Sequence, residues 1–264
     1  MIAAFDIAVP ARAVESDVIL ETRDLSVHFG GLSAVDQVSV AIPRGGIHSI
    51  IGPNGAGKST FFNLISGAIR PSSGTVLIDG VPVTGLSVPR LRAMGLARSF
   101  QITNLFAESS VFENLRLAAQ ILEPLGRGFL PVRRSGRAET KAEALIARFS
   151  LAEKASDLAG RLSHGEQRRL EIAMALASEP RILLLDEPTQ GMSHGDTEEA
   201  KALLRSLGDE LTVLLIEHDI DLVMDLSRHV IVLHQGAKLA EGPPEAVRAD
   251  AQVQTAYLGG ALKC

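Results

Sequence analysis

The chain reads as an α/β fold built on a largely parallel sheet, with an antiparallel β segment before it and a helical segment inserted into it. Three observations lead there. An apolar run, residues 47–51, enters a glycine-rich turn that opens a helix at Lys58. Two nearly unbroken apolar runs, residues 181–185 and 212–216, alternate with helical patterns, as strands covered on both faces require. Ahead of them, residues 18–21, 25–29 and 38–42 are short and β-branched, separated by polar residues and glycine, the pattern of antiparallel strands.

In chain order, residues 1–16 contain Asp6, Pro10, Arg12 and Glu15, lack a basic start before a long apolar stretch, and read as a flexible extension rather than a signal peptide. The helix after the glycine turn is expected over 58–68, burying Phe61, Leu64, Ile65 and Ala68, with Pro71-Ser72-Ser73-Gly74 as its stop. Residues 75–78 and 81–83 flank Asp79-Gly80 and predict a hairpin. Residues 86–178 read as mainly helical, with Gly126, Gly128, Pro131 and a basic cluster around Arg133 marking an internal loop. Within that stretch 138–149 is amphipathic and should bury Leu145, Ile146 and Phe149. Helices follow at 196–207 and 220–226, then a strand pair, 229–233 and 237–240, across Gln235-Gly236.

Composition narrows the function. Apolar residues make up 46%, which suits a buried core, and the formal net charge of −5 speaks against nucleic acid as a partner. The one cysteine is Cys264, so no disulfide framework or cysteine metal site is available. No run of 18 apolar residues occurs, so no segment reads as membrane-spanning.

Gly52-Pro53-Asn54-Gly55-Ala56-Gly57-Lys58-Ser59-Thr60 completes G-x-x-x-x-G-K-[ST] in its strand–loop–helix setting. Glycines let backbone N–H groups converge on an anion, and the helix that follows points its positive end there. Lys58 would reach the β- and γ-phosphates and Ser59 would hold Mg²⁺. The alternative is a tight turn without a ligand.

Asp186-Glu187-Pro188 ends the apolar run at 181–185, where α/β sheets place ligands. Asp186 suits the Mg²⁺ shell and Glu187 the polarising of an attacking water; an acidic turn stopped by Pro188 is the plainer reading. Glu217-His218-Asp219 ends the next run in the same way, so His218 is either a surface group or a partner to γ-phosphate and carboxylate. Leu162-Ser163-His164-Gly165-Glu166-Gln167-Arg168 precedes a helix. Ser163 and Glu166 make a complete capping box, while Ser163 and the N–H groups near Gly165 would also serve as a second anion site. Gln101 reads as a loop glutamine, and Phe29 as either core or a base-stacking aromatic.

Together these residues resemble the nucleotide-binding subunits of ABC transporters, over roughly 18–260. Gly52–Thr60 is similar to Walker A, 181–187 to Walker B, Gln101 to the Q-loop, 162–167 to the signature motif and His218 to the switch histidine, all in the family's order. Phe29-Gly30-Gly31-Leu32, 97–101, 162–168, Leu233-His234-Gln235-Gly236 and Ala256-Tyr257-Leu258-Gly259 look most like the ATPases of branched-chain amino-acid importers, or of the related urea and short-amide importers.

The resemblance implies a P-loop ATPase with a RecA-like parallel core, an antiparallel β subdomain and a helical subdomain at about 103–178, inside a domain spanning 17–260 with a tail at 261–264. ATP and Mg²⁺ are the implied cofactors, with Ser59, Gln101 and Asp186 toward the metal and Glu187, His218, Lys58 and Gln101 toward hydrolysis. Ser163, His164 and Gly165 would face the nucleotide of a second ATPase subunit, identical or different. Integral membrane permease subunits would dock near 101–112, a solute-binding protein would act indirectly, and the subunit would lie peripherally on the cytoplasmic face of the inner membrane. Departures from the pattern are Phe29 for a frequent tyrosine, His164 and Glu166 for glycine and glutamine, and Gln190-Gly191-Met192-Ser193 for Ser-Ala-Leu-Asp. The rivals are a soluble ABC ATPase acting on ribosomes or DNA, which usually carries two such domains or a coiled-coil insertion, another P-loop class, or a non-enzymatic binding module. A GTPase should carry an N-K-x-D motif, and none is found.

Overall fold

The computed structural model describes residues 17–99, 105–122, 136–192 and 194–256. The first two β-branched segments form one strand, β1 (Val18–Phe29), paired antiparallel with β2 (Leu32–Pro43). Two strands were expected in place of β1. The chain carries pairing through a register shift between Thr22 and Leu25, where Asp24 takes φ 46. β3 (Gly46–Ile51) is buried along its whole length and feeds α1 (Lys58–Ile65). That helix is shorter than expected. Gly67, at φ 71, ends it with Gly67 N–H donating to Leu64 O at 3.2 Å and Ala68 N–H to Asn63 O at 2.9 Å. Ala68 is therefore exposed, and Phe62 takes its place beside Phe61, Leu64 and Ile65 in the core.

β4 (Ser73–Ile78) pairs with β1, and Asp79 and Gly80, both at positive φ, turn it into β5 (Val81–Pro82), which gives a four-stranded antiparallel sheet ordered β2-β1-β4-β5. Next come α2 (Val88–Ala93), β6 (Leu96–Arg98), α3 (Val111–Ala119), α4 (Gly136–Arg148) and α5 (His164–Leu176). The described part of 86–178 is mainly helical as expected, with the strand β6 as an addition. Three residues at a sheet edge show no period, and only pairing with the later strand β7 (Ile182–Asp186) makes them a strand. After β7 come α6 (His194–Glu210), longer than expected at both ends, β8 (Thr212–Ile216), α7 (Ile220–Leu226), β9 (His229–His234), β10 (Ala237–Gly242), α8 (Pro244–Ala249) and α9 (Ala251–Ala256).

The second sheet is ordered β10-β9-β3-β8-β7-β6, parallel except for β10. Alternation along its strands divides the core. Leu183, Leu185, Val213 and Leu215 pack with the buried side chains of α3, α4 and α5, including Leu145 and Ile146, and with Phe149 just after α4. Ile182, Leu184, Leu214 and Ile216 face the other way, toward α1 and the antiparallel sheet. The register pairs Ile50 with Ile216 and Ile216 with Asp186, so the ends of β3, β8 and β7 stand level at one edge of the sheet.

Candidate functional site

That edge holds the predicted site. The loop after β3 depends on its glycines. Gly52 has φ 153, and a Cβ there would lie 2.2 Å from Leu233 O. Gly57, the N-cap of α1, has φ 98, and its Cβ would lie 2.5 Å from Ala34 O. The loop is also tied to the β9–β10 turn, since Gly236 N–H donates to Ala56 O at 3.0 Å. Pro53, Asn54, Gly55, Ser59 and Thr60 sit at or near the surface, while Ala56 is buried. Lys58 Nζ curls back and donates to the carbonyls of Gly52 at 2.7 Å and Pro53 at 3.1 Å. Burial lowers the pKa of this ammonium, and the carboxylates of Glu187 and Asp186 partly oppose the shift.

Asp186 ends β7 and is 1% exposed. Burial raises its pKa, and Arg98 acts the other way. Arg98 Nη2 lies 3.4 Å from Asp186 Oδ2, and Nη1 donates to Asn63 Oδ1 at 2.6 Å and Ser66 Oγ at 3.0 Å. Asp186 Oδ1 is buried without a hydrogen-bond partner. An unsatisfied carboxylate oxygen at a strand tip, with an exposed hydroxyl on Ser59 in the first turn of α1, is a donor set that fits Mg²⁺.

Glu187 takes φ 48, a left-handed turn, and its N–H donates to Ile216 O at 2.9 Å. Its carboxylate meets His218 Nε2, so two groups 31 residues apart in sequence form a hydrogen-bonded pair. Glu187 is mostly buried and His218 exposed. Such a pair can orient and polarise a water.

Ser163 caps α5 as expected. Its Oγ accepts from Glu166 N–H at 3.3 Å, and Ser163 N–H donates to Glu166 Oε2 at 2.8 Å. Ser163 and His164 are exposed and Gly165 is buried. A cavity of about 180 Å³ between the start of α5 and the end of β7 is lined by His164, Gln167, Arg168, Glu171, Asp186, Glu187 and Gln190. Phe29 is 51% exposed, so it is not core. Gln101 and Ser193 lie outside the described residues.

A family profile described as ABC transporter matches residues 35–190. The chain belongs to the ABC transporter family. It is an ATP-binding, ATP-hydrolysing subunit of that family. A second profile, described as branched-chain amino acid ATP-binding cassette transporter, matches residues 237–263. The chain is 43% identical to the high-affinity branched-chain amino acid transport ATP-binding protein BraF of Pseudomonas aeruginosa over 92% of this chain and 98% of that one. It is 40% identical to LivG of Escherichia coli, whose name states the same role, over 93% and 100%. A solved nucleotide-free ATP-binding cassette from an ABC transporter superposes with a TM-score of 0.82 at 30% identity, covering 91% of this chain and 98% of that one.

Four residues of this ABC ATPase, Arg98, Arg168, Thr189 and Glu217, stand at the site without having been given a role from the sequence. Arg98 holds Asp186 from behind, Arg168 donates to the Asp186 carbonyl, and Glu217 binds Thr189. Arg98 was legible only as a neighbour of Gln101. Glu217 carries one signal, an acid directly after an unbroken apolar strand.

Proposed function

We propose that this ABC ATPase powers an importer of branched-chain amino acids, working as one of two ATPase subunits beneath a membrane permease. The observation that carries this is the match of residues 237–263 to the branched-chain class, supported by the full-length similarity to BraF and LivG. An importer of urea or short amides is the runner-up within the same class.

In this reading Lys58 and the backbone N–H groups of residues 52–60 hold the β- and γ-phosphates, and Phe29 offers an exposed ring to the base. Ser59, Asp186 and Gln101 would hold Mg²⁺, and the Arg98 guanidinium beside Asp186 opposes the effect of burial on its carboxyl. When bound there, Mg²⁺ would supply positive charge against the charge that develops on the phosphate oxygens. Glu187 polarises the attacking water, with His218 holding the carboxylate in place and reaching the γ-phosphate. Ser163, His164 and Gly165 of the second subunit, the same chain or a relative, close over the nucleotide. ATP then favours the closed pair, hydrolysis releases it, and the helical part at about 103–178 carries the movement to the permease. Attachment to the cytoplasmic face of the inner membrane comes through that permease; among the described residues no helix is long and apolar enough to cross a membrane. A separate solute-binding protein selects the cargo.

Two experiments test this. Co-purification from membranes, followed by a screen for solutes that stimulate ATP hydrolysis, should return a permease and a branched-chain amino acid. Recovery of only ribosomal or DNA-associated proteins refutes the transport role. Glu187→Gln should retain ATP binding and accumulate a closed dimer without turnover; normal turnover removes Glu187 from the mechanism.

A further inference from the structure

Glu217 is 3% exposed, and the mechanism above does not use it. Its Oε1 accepts from Thr189 N–H at 3.0 Å and from Thr189 Oγ1 at 2.7 Å, and its Oε2 accepts from His218 N–H at 3.1 Å. A buried carboxylate is costly unless its oxygens are satisfied, and here both face donors. Thr189 lies two residues beyond Glu187, on the far side of Pro188. Glu187 sits at φ 48, a region that costs a side chain with a Cβ and persists only where the surroundings impose it. The surroundings are the tip of β8 and the residues just after it. Ile216 O accepts from Glu187 N–H at 2.9 Å, the Glu217 carboxylate grips Thr189, and the His218 ring meets the Glu187 carboxylate. Three consecutive residues thus hold three points on the turn after β7.

We propose that Glu217 is a positioning residue for Glu187: by holding Thr189 and the His218 amide together, its carboxylate keeps the strained turn closed so that Glu187 faces His218. The inference rests on Glu187 being the group that polarises water. Ile216 O holds the turn before Glu187 and Glu217 holds it after, so losing Glu217 frees one side and lets the Glu187 side chain drift from His218. Neither Glu217 nor Thr189 lies in the phosphate loop, so nucleotide affinity is left alone.

The test is a series in the full chain: E217Q, T189V, the double variant and E187Q. The glutamine of E217Q keeps one acceptor oxygen but turns an N–H₂ toward the His218 N–H, and the valine of T189V keeps the threonine shape without its hydroxyl. Steady-state hydrolysis against ATP concentration gives kcat and KM, and titration with a fluorescent ATP analogue counts intact sites. We expect E217Q and T189V each to lower kcat per intact site on the order of tenfold or more, as a displaced catalytic group does. KM and analogue affinity should stay within about twofold. The double variant should lose no more than the worse single one, because the two residues act as one clamp. A purely structural Glu217 would instead reduce melting temperature and site count while kcat per site held. That result, or a loss of affinity in step with kcat, overturns the proposal. Should E217Q fail to fold, T189V alone decides between these outcomes. E187Q separates the two levels. Turnover surviving in E187Q removes Glu187 and the clamp with it, whereas an inactive E187Q beside a fully active T189V and E217Q removes the clamp alone.

Discussion

The glycines of the phosphate loop make different demands, and alanine substitution should resolve them. A Cβ at Gly52 meets a backbone oxygen, Leu233 O, at 2.2 Å and the Ala56 side chain at 3.0 Å, with φ at 153. Leu233 is fixed in β9 and buried Ala56 is tied to the β9–β10 turn through Gly236, so neither obstacle can swing away. Backbone strain of about 1–3 kcal/mol adds to overpacking of about 1–3 kcal/mol, so Gly52→Ala should cost about 4 kcal/mol. At Gly57 the Cβ meets Ala34 O at 2.5 Å with φ at 98, and the cost should be about 3 kcal/mol from the same two sources. At Gly55, φ is 79 and nothing lies within 4 Å. Only the left-handed backbone is penalised there, at about 1 kcal/mol. At about 2–4 °C per kcal/mol for a chain of this size, thermal melts should show a drop of about 10 °C for Gly52→Ala and about 3 °C for Gly55→Ala, with Gly57→Ala between. Equal drops for Gly52→Ala and Gly55→Ala would refute the claim that close backbone approach, rather than φ alone, fixes the glycine at position 52.

Lys58→Ala should lose roughly 3 kcal/mol of phosphate stabilisation in the transition state, read as a fall in ATP hydrolysis of about a hundredfold; unchanged hydrolysis sinks the phosphate-loop assignment. Arg98→Met strands the buried Asp186 carboxylate and should destabilise by about 3 kcal/mol in a denaturant melt. Adding Asp186→Asn should recover part of that loss, and a double variant less stable than the single one contradicts the pairing. His48 is 1% exposed, and its Nε2 lies 2.9 Å from Gly45 O. Burial lowers its pKa, with His229 and Arg228 adding to the effect. The unfolded chain therefore binds the proton more readily, and the stability contributed by neutral His48 is lost as pH falls below the ordinary histidine value of about 6.5. His48→Gln should flatten the fall of melting temperature between neutral and mildly acidic pH, and an unchanged slope refutes this.

Local features carried over from sequence to structure with little loss. The capping box needs only Ser163 and Glu166, three residues apart, and it formed as expected. The Asp79-Gly80 hairpin and the buried face of α4 are equally short-range. Features that depended on a distant partner were misread or missed. β6 is a strand because β7 lies beside it, and β1 continues because β2 and β4 hold both sides of its irregularity. The early end of α1 is a local exception, set by the left-handed Gly67. Phe29 was ambiguous because a strand end does not say which way it faces solvent.

The contiguous motif from Gly52 to Thr60, the two apolar strands ending in acid and histidine, and their order along the chain were enough to determine the family and the class of chemistry, because each is a run of neighbouring residues with one physical reading. Only the tertiary structure decided which groups work on one another. Parallel pairing of β3, β8 and β7 brings three strand tips level and joins Glu187 to His218 and Glu217 to Thr189, while the pairing of β6 with β7 brings Arg98 to Asp186. Those pairs lie 28 to 88 residues apart. Their contact follows from sheet order, and sheet order is set by how the whole core packs rather than by any stretch of sequence read alone.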